Sequence, residues 1–284
     1  MKKFPKIIAV DLDGTVFGAD HRTILPYTAQ VLREYIARGA LLIPVTGRSK
    51  AIIPIDSFPQ LRYMICANGG YICDLQTGET LRTAYIARED IQTAWDTIRD
   101  RVNKLNVVME LFVDDQIVVE KKVYEQFEDY ADKLPHFHSI YIANGEAEYA
   151  ESIDQYLMQE PCRVVKLNFP GKSIRECPEI RGELANSGLF EVTSDGLNLE
   201  LTRKGCNKGE ALLWLCNYLG ISDEEVVVFG NGSNDVSMLT CVRYGVAMGN
   251  SAEDVRAAAG YCTDSNTEDG IAHFLEKEFP LTGN

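Results

Sequence analysis

The hydrophobic pattern changes rhythm twice along the chain. Ile7-Ile8-Ala9-Val10 is an unbroken apolar run that stops at Asp11, the pattern of a strand buried on both faces. After a polar turn, Val31, Leu32, Tyr35 and Ile36 recur at helical spacing, and Gly39 ends that helix. Ala40 to Val45 predicts a second buried strand closing on Thr46-Gly47-Arg48. Tyr63 to Ala67 predicts a third, closing on Asn68-Gly69-Gly70. Buried strands joined by helices predict a parallel sheet with helices on either side.

Past Ala84 the rhythm differs. A helical stretch (Ile91 to Val102) is followed by strand-like runs at Val107 to Val113 and Ile117 to Glu120. An acidic helical stretch (Tyr124 to Leu134) and two more strand-like runs, Arg163 to Phe169 and Leu189 to Thr193, complete the segment. Strands in adjacent pairs as well as beside helices predict a mostly antiparallel α+β module. The strand–helix rhythm returns near Thr193. Asn207-x-x-Glu210 is a capping-box pattern opening a helix with Ala211, Leu212, Leu215 and Leu219 on one face, stopped by Gly220. Glu225 to Phe229 and Tyr244 to Met248 are further buried strands. The expected fold class is α/β: a doubly wound, mostly parallel, Rossmann-like core made of residues 1–83 and 194–284, interrupted by an inserted α+β domain at 84–193.

Composition narrows the function classes. Apolar residues are 45% and charged residues 25% of 284, which excludes disordered and fibrous classes; about 150 residues per domain gives roughly two domains. The net charge of −14 argues against nucleic acid as a partner, because phosphate backbones are held by clustered Lys and Arg. A small phosphorylated metabolite remains compatible, since a local pocket can oppose the global sign. The apolar run before Asp11 is too short for a secretory signal, and no stretch approaches the length of a bilayer span. Eight cysteines without a C-x-x-C pair read as reduced thiols of a cytoplasmic protein.

Four polar clusters fall just past predicted strands: Asp11-Leu12-Asp13-Gly14-Thr15, Thr46-Gly47-Arg48, the Lys204 to Lys208 loop, and Gly230-Asn231-Gly232-Ser233-Asn234-Asp235. Polar loops after strands are ordinary, but four on one sheet edge mark the crevice where α/β folds bind ligands. Asp11 and Asp13, two apart, point to the same side of an extended chain. Two such carboxylates repel and need a cation or a shared proton. Mg2+ suits phosphate chemistry, and a carboxylate can itself attack phosphorus to give an aspartyl-phosphate. Other features read as structural. His136-x-His138 is a surface loop pair, Glu125, Glu128, Asp129 and Asp132 are a solvated helix face, and Trp95 and Trp214 belong to the core. Arg48 either reaches substrate or pairs with an acid.

DLDGT after one apolar strand, TGR after the next, a lysine opening a late helix and GNGSND followed by Met-Leu together resemble the haloacid dehalogenase superfamily. NGGYI at 68–72, GVAMGN at 245–250 and DGIA at 269–272 are similar to landmarks of its Cof-type phosphatases, which carry a large α/β cap inserted after the third core strand. The resemblance implies Asp11 as the nucleophile that takes a phosphoryl group. It implies Asp13 as general acid and then base, with its backbone carbonyl on Mg2+. Thr46 and the Gly47 N–H would hold phosphate oxygens, and Lys208 would neutralise charge, being preferred over Lys204 for its place at the helix start. Asp235 would complete the metal site and Asn234 would orient the acids or the phosphate. Asn231 stands where the family usually has an aspartate metal ligand, which removes a negative charge. The implied activity is Mg2+-dependent hydrolysis of a small phosphorylated metabolite, foremost a sugar phosphate. The alternatives are a phosphomutase, or a catalytically weak binding or regulatory member on account of Asn231.

Overall fold

The apolar run Ile7–Val10 forms a fully buried strand in a computed structural model that describes residues 2–105, 109–125, 147–159, 161–170, 178–193 and 198–281. In chain order the strands are β1 (Ile7–Val10), β2 (Leu41–Pro44), β3 (Tyr63–Cys66), β4 (Tyr71–Asp74), β5 (Thr80–Thr83), β6 (Glu110–Val113), β7 (Gln116–Glu120), β8 (Glu148–Ala150), β9 (Val164–Pro170), β10 (Phe190–Thr193), β11 (Asn198–Arg203), β12 (Val226–Gly230), β13 (Tyr244–Ala247) and β14 (Tyr261–Cys262). They divide between two compact units. One comprises Met1–Gly47, Ile53–Arg82 and Asn207–Asn284; the other comprises Arg48–Ile52 and Thr83–Cys206.

The first unit is the expected doubly wound core. Its five-stranded sheet has the order β14-β13-β12-β1-β2, and every pairing is parallel. Alternate residues of β1 serve opposite faces. Ile8 and Val10 join Val31, Leu32 and Tyr35 of the helix Pro26–Ala37 and Phe274 and Leu275 of the helix Gly270–Glu278. Ile7 and Ala9 join Ala211, Leu212 and Leu215 of the helix Lys208–Leu219. Each fully buried Val, Leu or Ile contributes about 1.5–3 kcal/mol relative to exposure, so the two-sided apolar runs specify this arrangement. β3 departs from the simple expectation. It meets the end of the β2 segment through a single parallel bridge, Val45 to Ile65, and otherwise pairs antiparallel with β4 in a β3-β4-β5 sheet.

The second unit is the expected α+β module. Its six-stranded sheet has the order β10-β11-β9-β6-β7-β8, antiparallel except where β7 runs parallel to β8. Leu111, Val118, Leu167, Phe169, Leu199 and Leu201 pack one face against Ile91, Ala94, Trp95 and Ile98, and against Ile180 and Leu184. These partners lie on the helices Arg88–Leu105 and Pro178–Asn186. The return to the core expected at 194 comes later. β11 is hydrogen-bonded between β9 and β10, so this unit continues to Cys206. Asn198-Leu199-Glu200-Leu201-Thr202 alternates polar and apolar, which suits an antiparallel sheet with one apolar face. The Lys204 to Lys208 loop therefore follows an antiparallel strand of this unit, and not a parallel core strand.

Arg48–Ile52 also joins the second unit. Ala51 N–H donates to the Asp115 carbonyl at 3.2 Å, and Ser49 Oγ donates to the same carbonyl at 2.7 Å. Trp95 is a core residue whose indole N–H donates to Asp154, while Trp214 is half-buried and stacks on Tyr218. His136, His138, Glu128, Asp129 and Asp132 lie outside the described residues. Among the described residues no helix is long and apolar enough to cross a membrane.

Candidate active site

Asp11 is the first residue past β1, and its N–H still donates to the Phe229 carbonyl of β12 at 3.0 Å. The chain then turns sharply through Gly14, whose φ of +74° lies in the left-handed region. The Asn250 amide fixes this turn by donating to the Gly14 carbonyl at 2.8 Å. Lys208 arrives from the opposite end of the sequence as the first residue of its helix, where the Asn207 side chain caps the Glu210 N–H at 3.0 Å. The helix start is held by close backbone approach. A Cβ on Gly209 would stand 2.3 Å from the Ser237 carbonyl oxygen, and one on Gly69 would stand 2.6 Å from the Asn207 carbonyl oxygen.

These constraints bring one ammonium between two carboxylates. Lys208 Nζ donates to Asp11 Oδ1 at 2.7 Å and to Asp235 Oδ1 at 2.6 Å. The side chains of Lys208 and Asp235 are fully buried, and that of Asp11 is 10% exposed. Burial and then Asp235 push Asp11 up to about 7; Asp13 adds to this and Lys208 opposes it. Burial pulls Lys208 down, but Asp11 and Asp235 more than offset it and hold the ammonium above the ordinary lysine range. Among the described residues, Asp11 Oδ2 accepts no hydrogen bond.

The other expected residues divide. Asp235 Oδ2 accepts the N–H groups of Asn231 and Gly232, each at 2.8 Å. With Oδ1 on Lys208, both its oxygens serve protein donors, so it braces the loop and the lysine. Asn231 keeps its amide oxygen toward Thr15, whose hydroxyl donates to it at 2.8 Å. Asn234 donates to the Asn68 amide oxygen at 3.1 Å. Thr46 is buried, its N–H donating to Ile65 and its carbonyl accepting from Asn68, both at 2.9 Å; Gly47 follows it. Lys204 is 60% exposed and pairs with Glu191, so Lys208 is the lysine at the acids. Arg48 donates to the Ile52 carbonyl at 3.3 Å.

One neighbour of the acids was not legible in the motifs. His21 Nδ1 lies 2.9 Å from Asp13 Oδ1, and the Asp13 side chain is 32% exposed. An antiparallel bridge between Phe17 and Ile24 folds the intervening loop back, and the Asp20 carboxylate receives Arg22 and Thr23 N–H groups at 3.1 and 2.9 Å. The Thr23 hydroxyl, with these amides, holds Asp20 down to about 2. The available signal was the Gly18-x-Asp20 turn between two apolar residues, a pattern that reverses the chain.

The donor set fits Mg2+. Asp11 and Asp235 flank one ammonium, and burial, then Asp235, with a smaller part from Asp13, raises Asp11. Among the described residues no three His, Cys, Asp or Glu side chains enclose a metal position. This is compatible with Mg2+, which takes one or two carboxylates and fills its octahedron with carbonyls, waters and substrate oxygens. Chemically, the arrangement offers an oriented carboxylate oxygen, a fixed positive charge beside it and a second, more exposed acid two residues on. That combination suits phosphoryl transfer.

Comparison with known proteins agrees with this chemistry. The family model of haloacid dehalogenase-like hydrolases matches residues 8–275. Phosphatase YwpJ of Bacillus subtilis is 29% identical, over 95% of this chain and 99% of its own. Pyridoxal phosphate phosphatase YbhA of Escherichia coli is 29% identical, over 95% of this chain and 97% of its own. Among solved structures, the subclass IIB sugar phosphatase BT4131 superposes with a TM-score of 0.77 at 25% identity, covering 96% of this chain and 98% of that one.

Proposed function

The chain belongs to the haloacid dehalogenase-like hydrolases, in their Cof-type branch, and from that premise we propose that Asp11 takes the phosphoryl group from a small phosphorylated metabolite. The protein is a phosphatase of small phosphorylated substrates. A sugar phosphate is the substrate class this reading favours, in line with the sugar phosphatase among its structural neighbours.

The observation that carries the mechanism is the shared ammonium. Lys208 holds Asp11 by Oδ1 and leaves Oδ2 toward an incoming phosphorus. Oδ2 attacks, the bond from phosphorus to the leaving oxygen breaks, and Asp13 gives that oxygen its proton. Asp13 then takes a proton from water as the water oxygen attacks phosphorus. The bond to Asp11 breaks, releasing phosphate and restoring the carboxylate. Lys208, Thr46 and the Gly47 N–H stabilise the phosphoryl oxygens. Asn234 keeps the last loop in register through Asn68. Asp11, the Asp13 backbone carbonyl, the Asn231 amide oxygen and Asp235 would hold Mg2+, which supplies charge neutralisation to the phosphoryl group when bound.

Acid quench of a single turnover with an aryl phosphate, followed by peptide mass spectrometry, should find the phosphoryl group on Asp11. Asp11→Asn should lower turnover roughly a thousandfold or more while the circular dichroism spectrum is retained. Undiminished turnover by Asp11→Asn would overturn the nucleophile assignment.

A further inference from the structure

The turn that carries Asp13 has its backbone fixed from within and from outside. Within it, the N–H groups of Val16 and Phe17 donate to the carbonyls of Asp11 and Leu12 at 3.2 and 3.0 Å. From outside, the side-chain amides of Asn250 and Asn266 donate to the Gly14 and Phe17 carbonyls, each at 2.8 Å. The two asparagines are themselves joined, because the Asn266 N–H donates to Asn250 Oδ1 at 3.2 Å. These bonds set where the Asp13 backbone stands. They do not set how its carboxyl group is rotated about the side-chain bonds. A general acid needs that rotation set as well, since proton transfer requires hydrogen-bond reach to the leaving oxygen.

His21 supplies a hold on that rotation. Its Nδ1 lies 2.9 Å from Asp13 Oδ1, and it extends from a loop closed on itself. There the Gly18 N–H donates to the Thr23 carbonyl at 2.9 Å and the His21 N–H to the Gly18 carbonyl at 3.1 Å, while the Thr23 hydroxyl donates to Asp20. The φ of His21 is +55°, in the left-handed region that side-chain-bearing residues adopt rarely, with Asn, Asp and His the most tolerant. The loop thus holds an uncommon conformation at the one residue whose ring reaches the acid, and such an outlier is a ground for inferring a role. An imidazole nitrogen can donate to a carboxylate or accept from a carboxylic acid, so the same contact serves Asp13 before and after it gives up its proton. The pair is reachable from solvent, with the Asp13 and His21 side chains 32% and 56% exposed.

We propose that His21 is a positioning residue for Asp13 and turns its carboxyl group toward the leaving oxygen of the ester. This role rests on the phosphatase reading, with Asp13 as its acid. It is tested on the full chain with phenyl phosphate and p-nitrophenyl phosphate, two esters of similar shape whose leaving groups differ in basicity. Phenolate is the more basic and depends more on receiving a proton as it departs; p-nitrophenolate leaves readily without one. His21→Gly suits the left-handed backbone and removes the ring. It should lower the ratio of kcat/KM for phenyl phosphate to that for p-nitrophenyl phosphate roughly threefold or more, with both KM values nearly constant. His21→Asn suits the same backbone and places a hydrogen-bonding amide at the reach of Nδ1, so it should bring that ratio back to within roughly twofold of the wild type. An equal loss on both esters, or an Asn variant no better than the Gly variant, would overturn the positioning role and leave the phosphatase reading standing. A wild type inert toward both esters would overturn both.

Discussion

The protein contains two buried lysine–carboxylate clusters, and they are built in opposite ways. Lys208, Asp11 and Asp235 come from three distant segments that meet at strand ends, and Lys208 is shared at 2.6–2.7 Å. Lys166, Glu200, Glu110 and Asn168 come from neighbouring strands of one sheet, brought together by register alone, and the Asn168 amide oxygen has no hydrogen-bond partner among the described residues. The first cluster closes on itself around one ammonium. Distant segments thus assemble one buried charge cluster, and strand register assembles the other.

The comparison breaks most visibly at the lysines. Lys208→Met strands two buried carboxylates, so it should cost about 3–5 kcal/mol in denaturant titrations and lower turnover roughly a hundredfold to a thousandfold. A variant as stable and active as the wild type would remove the first cluster from the mechanism. Acidity provides the next contrast. Asp11 is raised to about 7 in the folded chain, so it contributes stability that is fully present below the ordinary carboxylate range and lost as pH rises through about 7. In chelator, the melting temperature of Asp11→Asn minus that of the wild type should therefore grow from pH 4 to pH 8; a flat difference would contradict the raised acid.

The second cluster should respond differently. Replacing Lys166 by Met together with Glu200 by Leu removes both charges of a pair, so folding should be unchanged or strengthened by about 1–4 kcal/mol. Strong destabilisation in the same titration would make that pair structural. The smallest effect is expected at His21, which touches Asp13 from an exposed loop. His21→Ala should lower kcat within about tenfold with KM nearly constant; a change confined to KM would remove it as a positioning residue for Asp13.

Legibility in the sequence followed the same division. The core was readable because β1, β2 and β12 are continuous apolar runs, and Asp11, Thr46 and Asp235 follow their carboxyl ends. The bonds of Asp235 to the Asn231 and Gly232 N–H groups were not readable, because they form only once the loop is folded. The polar face of the inserted sheet was hidden for a different reason. Glu110, Lys166, Asn168 and Glu200 alternate with leucine and phenylalanine, which reads as solvent on one side, whereas all four are buried. The same alternation in Asn198–Arg203 carries the inserted unit past 194, since membership of a sheet depends on partners far away in sequence. His21 required a chain reversal to reach Asp13.

The two glycines at the foot of the Lys208 helix have a consequence for reading mutational scans. Neither Gly69 nor Gly209 offers a side chain to chemistry, yet a single methyl at either would collide with backbone at 2.6 or 2.3 Å. In a survey of all substitutions under selection for activity, these positions should score as intolerantly as Asp11. A map drawn from intolerance alone would then place them among the reacting groups, when what they supply is room.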